Sequence, residues 1–261
     1  MTDYNYISAN EENRKFNKVL FPTKADYTVN LRKVNVDSEK VILLMGLNPA
    51  GDEEHKDCDP FIDYIPIFEE DFKLSQNAIK DMTYNKYFKP NYELFESINA
   101  KMYWLNDFEN IMKVREKLDS NDRHTFDTIV ENEKSKNGPM LIFSDLFHVR
   151  NKNAKNVKND LELIKDNNQL IAQISCIIEN QISYYKPNMI VVTNAYASEI
   201  IQKYYFRNEA FVDAMVHNEI VYIFSGMISG QRALDRFSRI RLEKAIKESW
   251  NLINHNLNPK C

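Results

Sequence analysis

The sequence predicts an α/β fold, a three-layer αβα domain on a central four-stranded parallel sheet with a helical insertion after the first strand motif, and three observations predict it. Four short apolar runs read as strands. Amphipathic helical stretches stand between and after them. One long charged segment breaks the alternation.

The runs are Val41-Ile42-Leu43-Leu44-Met45, Met140-Leu141-Ile142-Phe143, Met189-Ile190-Val191-Val192-Thr193 and Ile220-Val221-Tyr222-Ile223-Phe224. Each is β-branched or aromatic enough to prefer strand, and continuous enough for burial on both faces, as in a parallel sheet. Between the second and third, Leu163, Leu170, Ile171, Ile174, Ile177, Ile178 and Ile182 recur at three- and four-residue spacing. This predicts a helix from about Asp160 to Tyr185, stopped by Lys186-Pro187-Asn188. Asn194 is placed to cap a helix carrying Ala195, Ala197, Ile200 and Ile201. A terminal helix is expected over Ala233 to Ile253, with Leu234, Phe237, Ile240, Leu242, Ile246, Trp250 and Ile253 on its apolar face.

Residues 69–137 are the segment that breaks the rhythm. They are rich in charge and carry Tyr84, Tyr87, Phe88, Tyr92, Phe95, Tyr103 and Trp104 beside Lys86, Lys89 and Lys101. Two readings stand: rings that pack the insertion onto the sheet, or a stacking platform for nucleic acid. The whole chain, residues 1–261, is expected to be one domain.

With 43% hydrophobic and 12% aromatic residues the chain can bury a sizeable core, and 34 basic against 38 acidic residues leave a net charge of -4. No global positive field advertises nucleic acid, so only a local basic groove is open to it. The sequence has no 18-residue apolar stretch and no basic-then-apolar leader, so no membrane association and a cytoplasmic location are expected. Cys58, Cys176 and Cys261 are odd in number and scattered, which argues against a disulfide framework, a zinc site or an iron-sulfur cluster. No cofactor is expected.

In open parallel sheets ligands bind beyond the carboxyl ends of the strands. There the chain places Gly46-Leu47-Asn48-Pro49, then Ser144-Asp145-Leu146-Phe147-His148-Val149-Arg150, then Asn194-Ala195-Tyr196-Ala197, and Ser225-Gly226-Met227-Ile228-Ser229-Gly230-Gln231-Arg232. The first exit is no phosphate cradle. Pro49 removes an amide donor, and Asp52, Glu53 and Glu54 would repel a phosphate.

These exits resemble the uracil-DNA glycosylase superfamily. The family's first motif is a strand ending in Gly-x-Asn-Pro or a close variant, followed by an aromatic that stacks on an extruded base. Gly46-Leu47-Asn48-Pro49 matches it, and Phe61, in Asp59-Pro60-Phe61, stands where the aromatic is expected. The family's second strand exits through a base-reading residue and runs on to an arginine, the shape of Ser144 to Arg150. Lys186 to Ala195 is similar to its third strand and the small-residue helix start after it. The resemblance covers most of the chain apart from the insertion and the first forty residues.

It implies a monomeric enzyme that flips a deaminated or damaged base out of single- or double-stranded DNA and hydrolyses its N-glycosidic bond. Such cleavage builds positive charge on the sugar and negative charge on the leaving base. Asn48, pinned by Pro49, would orient the attacking water through its carbonyl oxygen. Its alternative is an Asx-turn capping its own loop. Asp52, Glu53 or Glu54 would support the cationic sugar or lie solvated on the surface. Asp145 or Ser144 would read the base edge. An ionised aspartate only accepts hydrogen bonds, so Asp145 in that role favours a base that presents an amino group, or else is protonated to tolerate a uracil carbonyl.

Gly46, Leu47, Pro49, Asn194, Ser225 and Ser229 would line the same site. Gln231 and Arg232 would meet phosphate, or else a surface carboxylate; Met227 and Ile228 would form an apolar wedge. His148 and Arg150 share a strand face and are in reach of phosphate or are structural. The chain departs from the family pattern in its last motif, where His-Pro-Ser or His-Pro is usual and Gly226 to Arg232 holds no histidine. Three cysteines also cannot serve the family's iron-sulfur branch. Two other classes therefore stand beside the glycosylase: a non-catalytic nucleic-acid-binding module with the same fold, and an enzyme acting on free nucleosides or nucleotides.

Overall fold

A computed structural model describes residues 2–31, 34, 40–48, 88–102, 112, 115–116, 118–150, 154–164, 166–208, 210–228 and 233–256. All four expected strands are present: β1 (Val41–Gly46), β3 (Met140–Asp145), β4 (Met189–Thr193) and β6 (Ile220–Ser225). They are parallel neighbours in the order β3-β1-β4-β6. Residues of β1, β3 and β4 are buried along their whole length, as continuous apolar runs require.

The sheet is larger than four parallel strands. A two-residue strand, β2 (Lys101–Met102), joins the β3 edge in parallel, and β5 (Ala214–His217) joins the β6 edge antiparallel. The result is a mixed, mostly parallel sheet in an α/β protein. A two-residue turn connects β5 to β6, with Asn218 at φ 48° and Glu219 at φ 64°. Both residues take the positive φ that such hairpin turns demand.

Residue parity along the strands separates two cores. Val41, Leu43 and Met45 pack with Ile142, Ile190, Val192 and Tyr222 under α1 (Thr2–Leu20) and α5 (Asn167–Tyr185), which supply Ala9, Ile174, Ile177 and Ile178. Ile42 and Leu44 pack with Leu141, Phe143, Val191 and Ile223 under α7 (Arg236–Asn256), through Leu242, Ile246 and Trp250. Leu94, Phe95 and Ile98, in and after α2 (Phe88–Glu93), complete this second core.

The helices depart from the sequence pattern in three places. The single helix expected from Asp160 is two, α4 (Ala154–Glu162) and α5, because Asp166 restarts the helix by accepting from Asn168 and Gln169 N–H groups. Leu163, assigned to the buried stripe, falls in the break and is 77% exposed. The terminal helix begins at Arg236, where Asp235 caps it, and two residues assigned to its apolar face, Phe237 and Ile240, are exposed.

The third departure is in the insertion. Its described part holds α2, β2 and α3 (Ser120–Ser135), so it is not helical throughout. Phe95 lies in the core, the packing reading; Tyr84, Tyr87, Tyr103 and Trp104 lie outside the described residues. Gly138 lets the chain entering β3 close on the turn before β2, since a Cβ there would sit 2.2 Å from Asn99 O. Among the described residues no helix is long and apolar enough to cross a membrane.

Candidate functional site

The strand register lines up residues across all four parallel strands, and opposed positions share a face. Phe143, Leu44, Val191 and Ile223 form one such row on the α7 side, and it is wholly apolar. One pleat nearer the carboxyl edge, the row on this same side changes character. Asp145 pairs with Gly46, and Thr193 pairs with Ser225. Gly46 and Thr193 each follow directly on the pair Met45 and Val192. A carboxylate, a bare backbone and two hydroxyls thus stand side by side at the sheet's end.

Asp145 and Thr193 are buried, at 5% and 6% exposure, and Ser225 is half-buried. The ladder continues past the strands: Leu146 N–H donates to Gly46 O at 3.0 Å and Phe147 N–H to Leu47 O at 2.9 Å. Asn48, half-buried, comes next on the chain. The order β3-β1-β4-β6 reverses direction at β1 and β4, and in doubly wound sheets the crevice at such a reversal is the ligand site. Asn48 leaves β1 at that point and Asn194 leaves β4.

Ser144 belongs to the other face. Its hydroxyl donates to Gln181 Oε1 at 2.9 Å and lies 3.2 Å from His148 Nε2, while Gln181 Nε2 donates to Asp145 O at 2.9 Å and to Leu146 O at 3.3 Å. Ser144, His148 and Gln181 are all buried. The carboxamide ties α5 to the end of β3. Of the two residues proposed to read a base, strand parity leaves Asp145 on the face of the polar row and turns Ser144 away from it.

The remaining expected site residues divide similarly. Asn194 does cap α6 (Ala195–Ile200), its Oδ1 accepting from Tyr196 N–H at 3.0 Å and Ala197 N–H at 3.1 Å, which commits the oxygen. Ser225 O accepts from the Ser198 hydroxyl of that helix at 3.2 Å. Gly46 and Leu47 are buried at the β1 exit. Met227 is exposed, but Ile228 packs in the α7 core and is no wedge. Pro49, Phe61, Ser229, Gln231 and Arg232 lie outside the described residues.

His148 and Arg150 are not surface groups either. Both are buried, and residues 148–150 pair with the segment after α1: Val29 N–H donates to His148 O at 2.8 Å and Arg150 N–H to Tyr27 O at 2.9 Å. Sequence reading missed two members of this region. Thr193 ends a run read only as strand, although counting alternate residues from Met189 puts its hydroxyl on the Val191 face. Gln181 sits in an apolar helical stripe with no local signal of its partner.

Among the described residues no group of three or more His, Cys, Asp or Glu is placed to hold a metal ion. The fold and the row define a class: an α/β protein whose mostly parallel sheet ends, on one face, in a polar row at a topological switch point. No protein-family model matches the chain, and no curated protein matches it.

Proposed function

We propose that the chain is a DNA base-excision glycosylase of the uracil-DNA glycosylase superfamily, a three-layer αβα domain that hydrolyses the N-glycosidic bond of a flipped base. One observation carries the reading. The row Asp145, Gly46, Thr193 and Ser225 offers hydrogen-bonding side chains on both sides of a glycine, immediately below the Gly46-Leu47-Asn48 strand end that resembles the family's water-orienting motif.

In this reading Asn48 holds the attacking water by its side-chain oxygen. Asn48 is not itself a strong base; its contribution is position and a fixed dipole near the cationic sugar. Asp145 accepts from the base edge, and the hydroxyls of Thr193 and Ser225 donate or accept as the base requires. The missing side chain of Gly46 leaves the base room to approach the backbone. Pro49, Phe61 and the residues from Ser229 to Arg232 keep their proposed contacts with base and strand.

The test uses oligonucleotides carrying uracil, hypoxanthine, xanthine or an alkylated adenine, incubated with protein and cleaved with alkali. Strand breaks that vanish in Asn48→Ala are the expected result. Steeply salt-dependent binding with no breaks on any base contradicts catalysis and favours the second reading, a binding module. That reading draws on the absence of histidine from Gly226 to Arg232. Base release from free nucleosides but not from DNA would identify the third class instead.

A further inference from the structure

The terminal helix exposes residues that its sequence pattern assigns to the core. Its buried stripe is Leu242, Ile246 and Trp250, and at 100° per residue the opposite meridian runs through Phe237 and Lys244, with Ile240 and Arg241 on either side. Phe237 is 75% exposed and Ile240 51%. Between Ala233 and Lys247 the chain carries five cationic side chains against two carboxylates, although its overall charge is -4. Arg241 and Lys244 stand within about 40° of the uncovered ring around the helix, with Glu248 the one carboxylate on that side, while Arg236 and Lys247 border the face.

The start of that helix lies beside the candidate site. Leu234 N–H donates to Met227 O at 2.7 Å, so α7 starts directly beyond the β6 exit that holds Ser225. Its far end reaches the amino edge, where Lys40 Nζ donates to Asn254 Oδ1 at 2.5 Å and lies 5.8 Å from the Trp250 ring centroid. Arg239 is committed inward, to Glu93 Oε2 and Pro90 O. The helix end is closed to anions: Asp235 accepts from Phe237 N–H, Ser238 N–H and the Ser238 hydroxyl, and these bonds hold its carboxyl below the ordinary range. An anionic partner would meet the side of the helix, not its tip.

We propose that the exposed side of the first turns of α7 holds the DNA strand, with Arg241 and Lys244 on phosphates, Arg236 and Lys247 at the border of the face, and Phe237 stacked on a base. The inference deepens the glycosylase reading by assigning that site its strand-binding surface, and rests on it for the identity of the polymer. Charge complementarity selects a polyanion, and the aromatic amid the cations suits a strand with unstacked bases. Lys244 has only a loose, exposed contact with Glu248 at 3.7 Å to give up.

The experiment is fluorescence anisotropy of a labelled single-stranded oligonucleotide against the full chain over a salt series, with fold checked by circular dichroism. Arg241→Glu with Lys244→Glu should weaken binding at least 10-fold and flatten the slope of log K against log salt by about 1.4, two phosphates at about 0.7 each. Phe237→Ala should weaken it about five-fold or more at unchanged slope. Lys155→Glu with Lys158→Glu, exposed on α4, should leave the slope unchanged.

Wild-type binding by the α7 variants, an equal loss in the α4 control, or a preference for phosphatidylserine vesicles over the oligonucleotide overturns the proposal. Binding through α7 with no base release contradicts the excision reading alone. Base release from DNA that is indifferent to the α7 variants contradicts this inference alone.

Discussion

At the carboxyl edge of the sheet, Ser144, Met45, Val192 and Phe224 form the row facing α5, and Asp145, Gly46, Thr193 and Ser225 form the row facing α7. In the first row the one polar side chain is tied to Gln181 and His148 inside the core. In the second a carboxylate and two hydroxyls lie together, on an apolar floor. A one-residue step along each strand thus separates a face tied to Gln181 from the face that the proposed function assigns to the base. Substitutions should divide along the same line.

The largest effect expected is on chemistry. Asn48→Ala should lower base release about 100-fold or more, the usual loss when one preorganised polar group of a reaction site is removed. Its urea midpoint should stay near that of the parent chain. Equal rates for the two proteins would remove Asn48 from the reaction.

Next comes the buried carboxamide. Gln181→Ala removes the acceptor of the Ser144 hydroxyl and the donor to two backbone carbonyls, so unfolding free energy should fall by about 2–4 kcal/mol, read from urea titration. Base release per folded molecule should change little. A variant as stable as the parent, or one folded but inactive, would break the division between the faces.

The smallest effect is alkaline. Tyr184, Tyr196 and Tyr222 all pack on the α5 face, and burial raises each phenol to about 12 from the ordinary 10.0. As pH climbs, the unfolded chain releases these protons first. The stability they contribute is therefore complete below pH 10 and is lost as pH rises through about 12. Tyr222→Phe should flatten that part of the stability curve without altering base release at neutral pH. An unchanged alkaline curve would place the loss elsewhere.

Much of the frame was legible because it rests on local pattern. Each of the four parallel strands was predicted to within two residues at its ends, the Asn194 cap follows from residue type, and Lys186 stops α5 in the left-handed conformation at φ 47°. The missed elements hide their signal. Helix α1 turns Asn10, Asn13 and Asn17 inward, so its buried side is partly polar; Asn10 Oδ1 accepts from Leu31 N–H and Asn13 Nδ2 donates to Val29 O. Strand β5 is exposed and follows no alternation, and its turn is Asn-Glu where the strong hairpin signal is Asn-Gly.

The site was legible as strand exits but not as faces. Alternation shows that Ser144 and Asp145 point opposite ways, yet which way is inward toward α5 depends on Gln181, which is distant in the chain. The terminal helix fails for a related reason. Seven apolar positions are more than one buried stripe can hold, and only the docked helix reveals that Phe237 and Ile240 are the surplus.

The most direct test of the central claim, that the polar row reads a base, is the ratio of base-release rates on uracil and on an alkylated adenine for the parent chain and for Asp145→Asn. The carboxamide can donate to a uracil carbonyl where the carboxylate cannot. A ratio that moves several-fold toward uracil in the variant, at an unchanged urea midpoint, is the predicted result. The same ratio in both proteins would contradict the assignment of Asp145 and its row to the base.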